Sequence, residues 1–356
     1  MKKLSLVLLV LILTLFLSGC SGNADLYILN WGDYMDETLV DEFESRYDVR
    51  VSYKTVGSNE EMATELKKDN VVYDLMFPSD YMIDKLIQEQ LIQQVDAQKI
   101  PLLAELEIIP TLAELYEESG FTEYIVPYAW GTIGILYRTD KIGLESCLES
   151  NGWACLFEEG DTYKSGMYNS PRDAVGAALL YLGYSVNSEN QTELALAEAA
   201  LTDASFFAWG EDNLKGRVLD GGLDLALVYS GDFISEYYTA IDDEREINFD
   251  FYVPEPTNVW MDAMVIPTIA EHVDLAHTFI NFLLEEEVAL VNYEYIGYAP
   301  PFSSFYDTLY TDIAEDYPGI AAMFNPYPTG ALREMFVYGS ASRSETIAHI
   351  LERAKG

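Results

Sequence analysis

Positive charge is what this sequence has least of. Its 356 residues carry 20 lysines and arginines against 60 aspartates and glutamates, a formal net charge of −40. A surface of that sign repels phosphate backbones and anionic headgroups, because nucleic-acid binding requires cationic side chains that displace counterions. Nucleic acid is excluded as a partner, and cations are attracted instead. Cysteine and histidine are scarce too, at three each. His272 and His277 stand five apart, off the four-residue spacing of an HExxH zinc pair, and His349 is distant from both. No Walker A loop, GxGxxG or GxSxG occurs, so the usual nucleotide-binding and serine-hydrolase signatures are missing. No catalytic residue, cofactor or metal ligand is singled out. Paired carboxylates can serve a glycosidase, but sixty acids pair by chance; an exported carboxylate-dependent hydrolase stands as an alternative only.

Long apolar runs are confined to the start of the chain. Lys2-Lys3, an apolar run from Leu4 to Leu17, and Ser18-Gly19-Cys20 form a three-part export signal over residues 1–20. The run falls short of the ~20 residues that span a bilayer as a helix, and its small-residue exit suits cleavage. Leu17-Ser18-Gly19-Cys20 resembles a bacterial lipobox, which implies acylation of Cys20 and a tether over residues 21–25. Each acyl methylene buried in the membrane contributes ~0.8 kcal/mol. The expectation is an exported monomer, lipid-anchored to the outer face of the cell membrane (or periplasmic) and otherwise soluble. The remaining cysteines, Cys147 and Cys155, flank a turn-like Ser-Asn-Gly at 150–152. An even count in an oxidising compartment permits a disulfide; two free thiols are the other reading. Neither sits in a CxxC or beside a histidine.

What remains is globular. Hydrophobic residues make up 49% and charged residues 22%, and the length exceeds what one core usually supports, so two lobes are expected. Strand and helix patterns alternate. Tyr27-Ile28-Leu29 reads as a buried strand, and Asp36 opens a helix through Leu39, Val40, Phe43 and Tyr47. Val49, Val51 and Tyr53 alternate as a strand, Ser58-x-x-Glu61 is a capping box, and Tyr73–Phe77 is a third strand. The pattern returns at Gly166–Asn169, at the helix start Ser170-Pro171, and at Leu223–Val228. Such βαβ alternation implies an α/β fold with mainly parallel sheets flanked by helices. Val126–Thr132 and Thr257–Trp260 are the candidate crossings, giving a first lobe of 26–132 plus 259–306 and a second of 133–258 plus 307–356.

Ligands of doubly wound sheets sit beyond the carboxyl ends of strands. That rule selects Trp31–Tyr34, Ser79–Tyr81, Asn169–Asp173 and Tyr229–Asp232. Aromatic and acidic residues interleave in Trp31-Gly32-Asp33-Tyr34 and again in Trp260-Met261-Asp262. The combination suits an alkylammonium ligand: rings cover its methylenes and attract the ammonium by about 0.5–2 kcal/mol each, and carboxylates hold the charged ends.

On these residues the chain resembles the spermidine/putrescine-binding proteins of bacterial polyamine ABC importers, with the two-lobed, hinged type II periplasmic-binding-protein fold. The resemblance runs from about Leu26 to Gly356. Besides the two segments above it rests on Tyr73-Asp74-Leu75 with Pro78-Ser79, Pro127-Tyr128-Ala129-Trp130-Gly131, Ser170-Pro171-Arg172-Asp173 with Leu182-Gly183-Tyr184-Ser185, and Ile296-Gly297-Tyr298. It implies a polyamine site of Trp31, Asp33, Tyr34, Ser79, Tyr81, Asp173, Tyr229, Asp232, Trp260, Asp262 and Tyr298, and an ABC permease as partner. Ser170 stands where spermidine-preferring members carry an aspartate, and Asp232 where some putrescine-preferring relatives place an acid, which leans toward a shorter polyamine. Glu334 is the candidate for a polar contact near the C-terminus. Tyr237-Tyr238 resembles the tyrosine pair of ferric-ion-binding proteins of similar architecture, so a ferric ion or another organic cation is the alternative ligand; helix packing is the commoner role for such a pair.

Overall fold

A three-stranded parallel sheet forms where short apolar runs alternate with amphipathic helices. In the structure, a computed structural model, residues 24–68, 72–316 and 333–356 are described. The leader with Cys20 lies outside them, as do residues 21–23 of the tether. Strand β1 (Leu26–Trp31) lies between β2 (Val51–Val56) and β3 (Leu75–Met76), with Leu26 opposite Val51 and Ile28 opposite Leu75. Helices α1 (Glu37–Tyr47), α2 (Asn59–Leu66) and α3 (Asp80–Gln88) follow the three strands in turn. Asp36 caps α1 by accepting the Thr38 N–H at 2.9 Å. Ser58 caps α2, accepting the Glu61 N–H at 3.1 Å, but the Glu61 carboxylate reaches one residue further back, to the Gly57 N–H at 2.9 Å. The reciprocal capping box is thus offset by a residue.

The chain continues through β4 (Ile92–Gln93) and α4 (Pro110–Ser119) into β5 (Val126–Arg138), thirteen residues long. Beyond it come α5 (Leu144–Asn151), α6 (Trp153–Glu158), β6 (Ser165–Tyr168), α7 (Pro171–Tyr181), α8 (Gln191–Asp203), β7 (Ala208–Gly210), α9 (Asn213–Leu219), β8 (Leu225–Tyr229) and α10 (Ser230–Asp242). The return path is β9 (Phe249–Tyr252), β10 (Thr257–Met264), β11 (Ile266–Pro267), α11 (Val273–Leu283), α12 (Glu286–Ile296), α13 (Ser303–Asp316), β12 (Arg333–Glu334) and α14 (Ala341–Lys355). Strands β12, β10, β5, β8, β6 and β7 lie in that order in one mixed sheet, with β9 also on β5, while β4 pairs β11. No helix of the described residues is long and apolar enough to cross a membrane.

Strand β5 has two successive partners along its length. Val126–Thr132 runs antiparallel to β10, and Ile133–Tyr137 runs antiparallel to β8. The two passages expected as crossings are therefore paired with each other, Thr132 opposite Val259. Glycine is needed at this handover. A Cβ on Gly134 would stand 2.4 Å from the Phe251 ring and 2.8 Å from the Tyr252 carbonyl oxygen, closer than packed atoms tolerate.

Two details differ from the sequence reading. Helix α13 runs unbroken through residue 306, where a passage between lobes is placed, and Phe305 and Leu309 share a core with Phe279 and Tyr293. The apolar face of the helix thus continues past that boundary. Strand β3 is only two residues long, Leu75–Met76; at its C-terminal end Pro78 cannot donate a ladder hydrogen bond and Ser79 already precedes a helix. Cys147 on α5 and Cys155 on α6 are joined by a disulfide, with Cα atoms 5.8 Å apart. The turn between them is Gly152, whose φ of 55° few residues with a Cβ adopt.

Candidate functional site

The alternation of a β-strand sets the first two side chains. Val259, Met261 and Ala263 of β10 turn into the apolar core, so Trp260 and Asp262 project together from the opposite face. Gly131 of β5 stands opposite Trp260 and leaves room for the indole: a Cβ there would be 2.6 Å from its Cζ2 atom. Trp260 is 9% exposed and its Nε1–H finds no acceptor; Asp262 is 6% exposed and its Oδ1 finds no donor.

Around Trp260 runs a chain of edge-to-face rings. Tyr168 meets Tyr229 at 5.3 Å between centroids, Tyr229 meets Trp260 at 5.9 Å, and Trp260 meets Tyr298 at 5.1 Å. Tyr298 continues to Tyr34 at 5.6 Å, and Tyr34 to Tyr128 at 5.4 Å. Such contacts place the positive ring edge on the negative face of a neighbour, worth about 0.5–1.5 kcal/mol each beyond burial. Tyr298 lies directly on Gly231, where a Cβ would overlap the ring at 1.9 Å. Strand ends β1, β6 and β8 and the turn after α12 are thereby drawn to β10.

The acids fall into two kinds. Asp262 is bridged to Ser79 through the backbone and faces the Tyr34 hydroxyl, which is buried and has no hydrogen-bond partner of good geometry. Burial pushes the Asp262 carboxyl up to about 6, against the pull of Ser79, Tyr34 and Arg172. Burial, followed by the charge of Asp262, raises the Tyr34 phenol. Asp173, 1% exposed, is paired with Arg172 at 3.3 Å. Asp232 is likewise buried, but its Oδ1 is held by Lys215 Nζ at 2.9 Å and its Oδ2 by the Tyr229 N–H at 3.4 Å. Lys215 neutralises it, so Asp232 is not a free acid here and does not carry the lean toward a shorter polyamine.

The other sequence-selected residues are placed as follows. Trp31 ends β1 with its Nε1–H donated to the Phe77 carbonyl at 2.7 Å, two residues before Ser79. The Ser79 hydroxyl does not cap α3; it accepts from Asn59 Nδ2 at 3.0 Å. Tyr81 donates its hydroxyl to Glu60 at 3.0 Å and carries the Arg172 guanidinium over its ring at 4.2 Å. Asp33 is not brought in: it is exposed, at φ 50°, and its charge acts on Tyr53 and Tyr295. Glu334 instead fixes the loop after α7, accepting from the Ser185 hydroxyl at 2.6 Å and the Val186 N–H at 3.1 Å. Tyr237 and Tyr238 lie within α10, half-buried against the core.

Two charged residues in the cluster escape the sequence reading. Arg172 bonds Asp173 and, at 3.4 Å, the Tyr229 hydroxyl. Asp80, between Ser79 and Tyr81, is as buried as Asp173. The available signal was an acid at the first position of a helix, which ordinarily marks a favourable dipole contact and nothing more. Chemically, the cluster combines ring faces and edges with carboxylate oxygens that lack donors, an environment for an organic cation. Among the described residues no group of three or more His, Cys, Asp or Glu is placed to hold a metal ion. Surface hollows of about 350 and 320 Å³ lie elsewhere, one beside Phe157, Tyr181 and Leu196, the other beside Val95 and Leu103.

Comparison with known proteins bears on the same region. Residues 38–322 match the family model of the bacterial extracellular solute-binding proteins. A spermidine/putrescine-binding periplasmic protein of Salmonella typhimurium is 30% identical over 327 residues, covering 89% of each chain. The solved structure of a spermidine/putrescine ABC transporter substrate-binding protein from Streptococcus pneumoniae is 29% identical, with a TM-score of 0.74 over 93% of this chain and 98% of that one. The TpPotD lipoprotein of Treponema pallidum, at 26% identity, also gives a TM-score of 0.74, over 92% and 98% of the two chains. With a match over most of its length and a two-lobed α/β architecture shared with these structures, the chain belongs to the bacterial extracellular solute-binding proteins, a family of transport proteins and not of enzymes, among its spermidine/putrescine-binding members.

Proposed function

We propose that this protein captures a polyamine, putrescine or spermidine, between its two lobes and delivers it to the permease of an ABC importer. The observation that carries the reading is the Trp260–Asp262 pair: a buried carboxylate oxygen without a donor beside an indole set in a chain of rings. An ammonium group supplies the missing donors, and its methylene chain lies on the rings. Calorimetry and thermal unfolding test this directly. At a ligand concentration a hundred times the Kd, stabilisation of about 2.7 kcal/mol is expected; no heat and no shift with either polyamine at millimolar concentration would sink the proposal.

The grip divides between the lobes, one built around 26–132 plus 259–316, so that α13 stays whole, and the other around 133–258 plus 333–356, with the hinge where β5 exchanges β10 for β8. Supporting this division, Trp260 and Asp262 stand on β10 and Asp173 on α7, which follows β6 of the other half. Bound putrescine should slow amide exchange around Asp262 and around Asp173 together, and slowing on one side alone would reject a two-lobed grip.

Lipid anchoring through Cys20 is the remaining part of the proposal. It rests on Leu17-Ser18-Gly19-Cys20, and the extracytoplasmic setting of the family is consistent with it. Cys20→Ala should release the protein from the membrane fraction and abolish labelling by a fatty-acid probe. A variant that stays membrane-bound and labelled would refute anchoring at this position.

A further inference from the structure

Asp80 has a setting that a helix-terminal acid does not need. It is 1% exposed, and its Oδ1 accepts the Tyr81 N–H at 2.6 Å, which already serves the start of α3. Its Oδ2 is buried with no hydrogen-bond partner, and a buried acceptor left unsatisfied is destabilising. The charges of Arg172 on α7 and Asp262 on β10 act on it, and Arg172 in turn lies over the ring of Tyr81, the next residue of α3. The Met261 N–H also acts on it from β10, and Ser79 beside it is engaged by Asn59 of α2.

These groups define a local charge. Asp173 is paired with Arg172 at 3.3 Å, the charge of the same Arg172 acts on Asp80 and Asp262, and Asp232 is cancelled by Lys215. Fully ionised, the cluster carries two more negative charges than positive, the complement of a diammonium ion. With Asp80 protonated the excess is one. Burial, reinforced by Asp262 and opposed by Arg172 and the N–H groups of Tyr81 and Met261, pushes the Asp80 carboxyl up to about 8. At neutral pH the free protein therefore keeps that proton.

We propose that Asp80 is a third carboxylate of the ligand site, which releases its proton to solvent when a diamine enters and so matches the charge of the cleft to a dication. The ammonium of the ligand, like a lysine side chain, remains protonated to about pH 10 and donates to Oδ2. No other bond is made or broken. A triamine brings one charge more than the cleft offers. The inference rests on the polyamine reading above, and its test separates the two.

Calorimetry of putrescine binding in two buffers of different ionisation enthalpy counts the protons released. At pH 7.5 the native protein should release roughly 0.8 proton per ligand, the protonated fraction of a group titrating near 8. Asp262, titrating near 6, is almost fully ionised there and contributes little. Asp80→Asn should lower the release to about 0.1 or less and weaken putrescine at least tenfold, roughly the range of a lost charged partner. Native protein that binds putrescine without releasing protons overturns the proposal, as does a variant with the native Kd. Native protein that binds no polyamine overturns the reading beneath it instead. Thermal unfolding of Asp80→Asn without ligand checks that it folds; should it not, the native proton count alone decides.

Discussion

Asp262→Asn is expected to weaken putrescine binding by about a hundredfold while leaving the free protein at least as stable at pH 8. The affinity loss follows from position. The carboxylate projects from β10 beside Trp260, is 6% exposed, and keeps an oxygen without a donor. Removing one partner of a buried, hydrogen-bonded charge pair costs roughly 2–5 kcal/mol, and 2.7 kcal/mol corresponds to about a hundredfold. Stability moves the other way because of sign. Burial raises this carboxyl to about 6, above its value in an unfolded chain, so the folded state holds the proton more tightly. That contribution is complete below the ordinary carboxyl range and is lost as pH rises through about 6. Above it the native protein bears the cost of a buried charge, which asparagine removes. Calorimetry and thermal unfolding at pH 8 measure both quantities, and an unchanged Kd would take Asp262 out of contact with the ligand.

Why so much of the fold is legible in the sequence is a matter of local rules. Strand β1 and helix α1 follow from apolar spacing and the Asp36 cap, and α7 from Ser170-Pro171, where Ser170 accepts the Asp173 N–H at 3.5 Å. Val126–Thr132 was recognisable as extended, but not as half of a strand that changes partners, because register between distant segments leaves no local trace. The same limit applies to charge. Trp260 and Asp262 announce themselves as an aromatic–acid pair two residues apart on one strand face. Asp232 looks identical in kind, yet Lys215, seventeen residues earlier and on another helix, neutralises it. Asp33 sits beside Trp31 in sequence, but the left-handed backbone at φ 50° sends its carboxylate outward. Asp80 is the converse: its residue type suggests a surface helix start, and only burial from β10 and α7 makes it part of the cluster. Sequence identifies side chains able to hold a cation; which of them are already held depends on contacts across the fold.

Trp260→Ala should be the most disruptive change at the site, because the indole links the two ends of the ring chain. It contacts Tyr229 on one side and Tyr298 on the other. Its removal deletes a cation–π partner worth up to about 2 kcal/mol when desolvated and the apolar wall against which the ligand packs. It also leaves a cavity, and truncation of a buried tryptophan costs about 3–5 kcal/mol of stability. Loss of binding in that variant alone is ambiguous, since Tyr229 and Tyr298 lose their support with it. Gly131→Ala resolves the ambiguity. Its Cβ would press on the indole at 2.6 Å and on the Ser230 hydroxyl at 2.5 Å, displacing the ring without deleting it. If the indole orients the ligand, putrescine affinity falls at least about tenfold in Gly131→Ala as well, one energetic step of 1.4 kcal/mol. Native affinity in Gly131→Ala would show that tryptophan serves at this position as packing for its neighbours, and the ligand-contacting role would pass to Tyr229 and Tyr298.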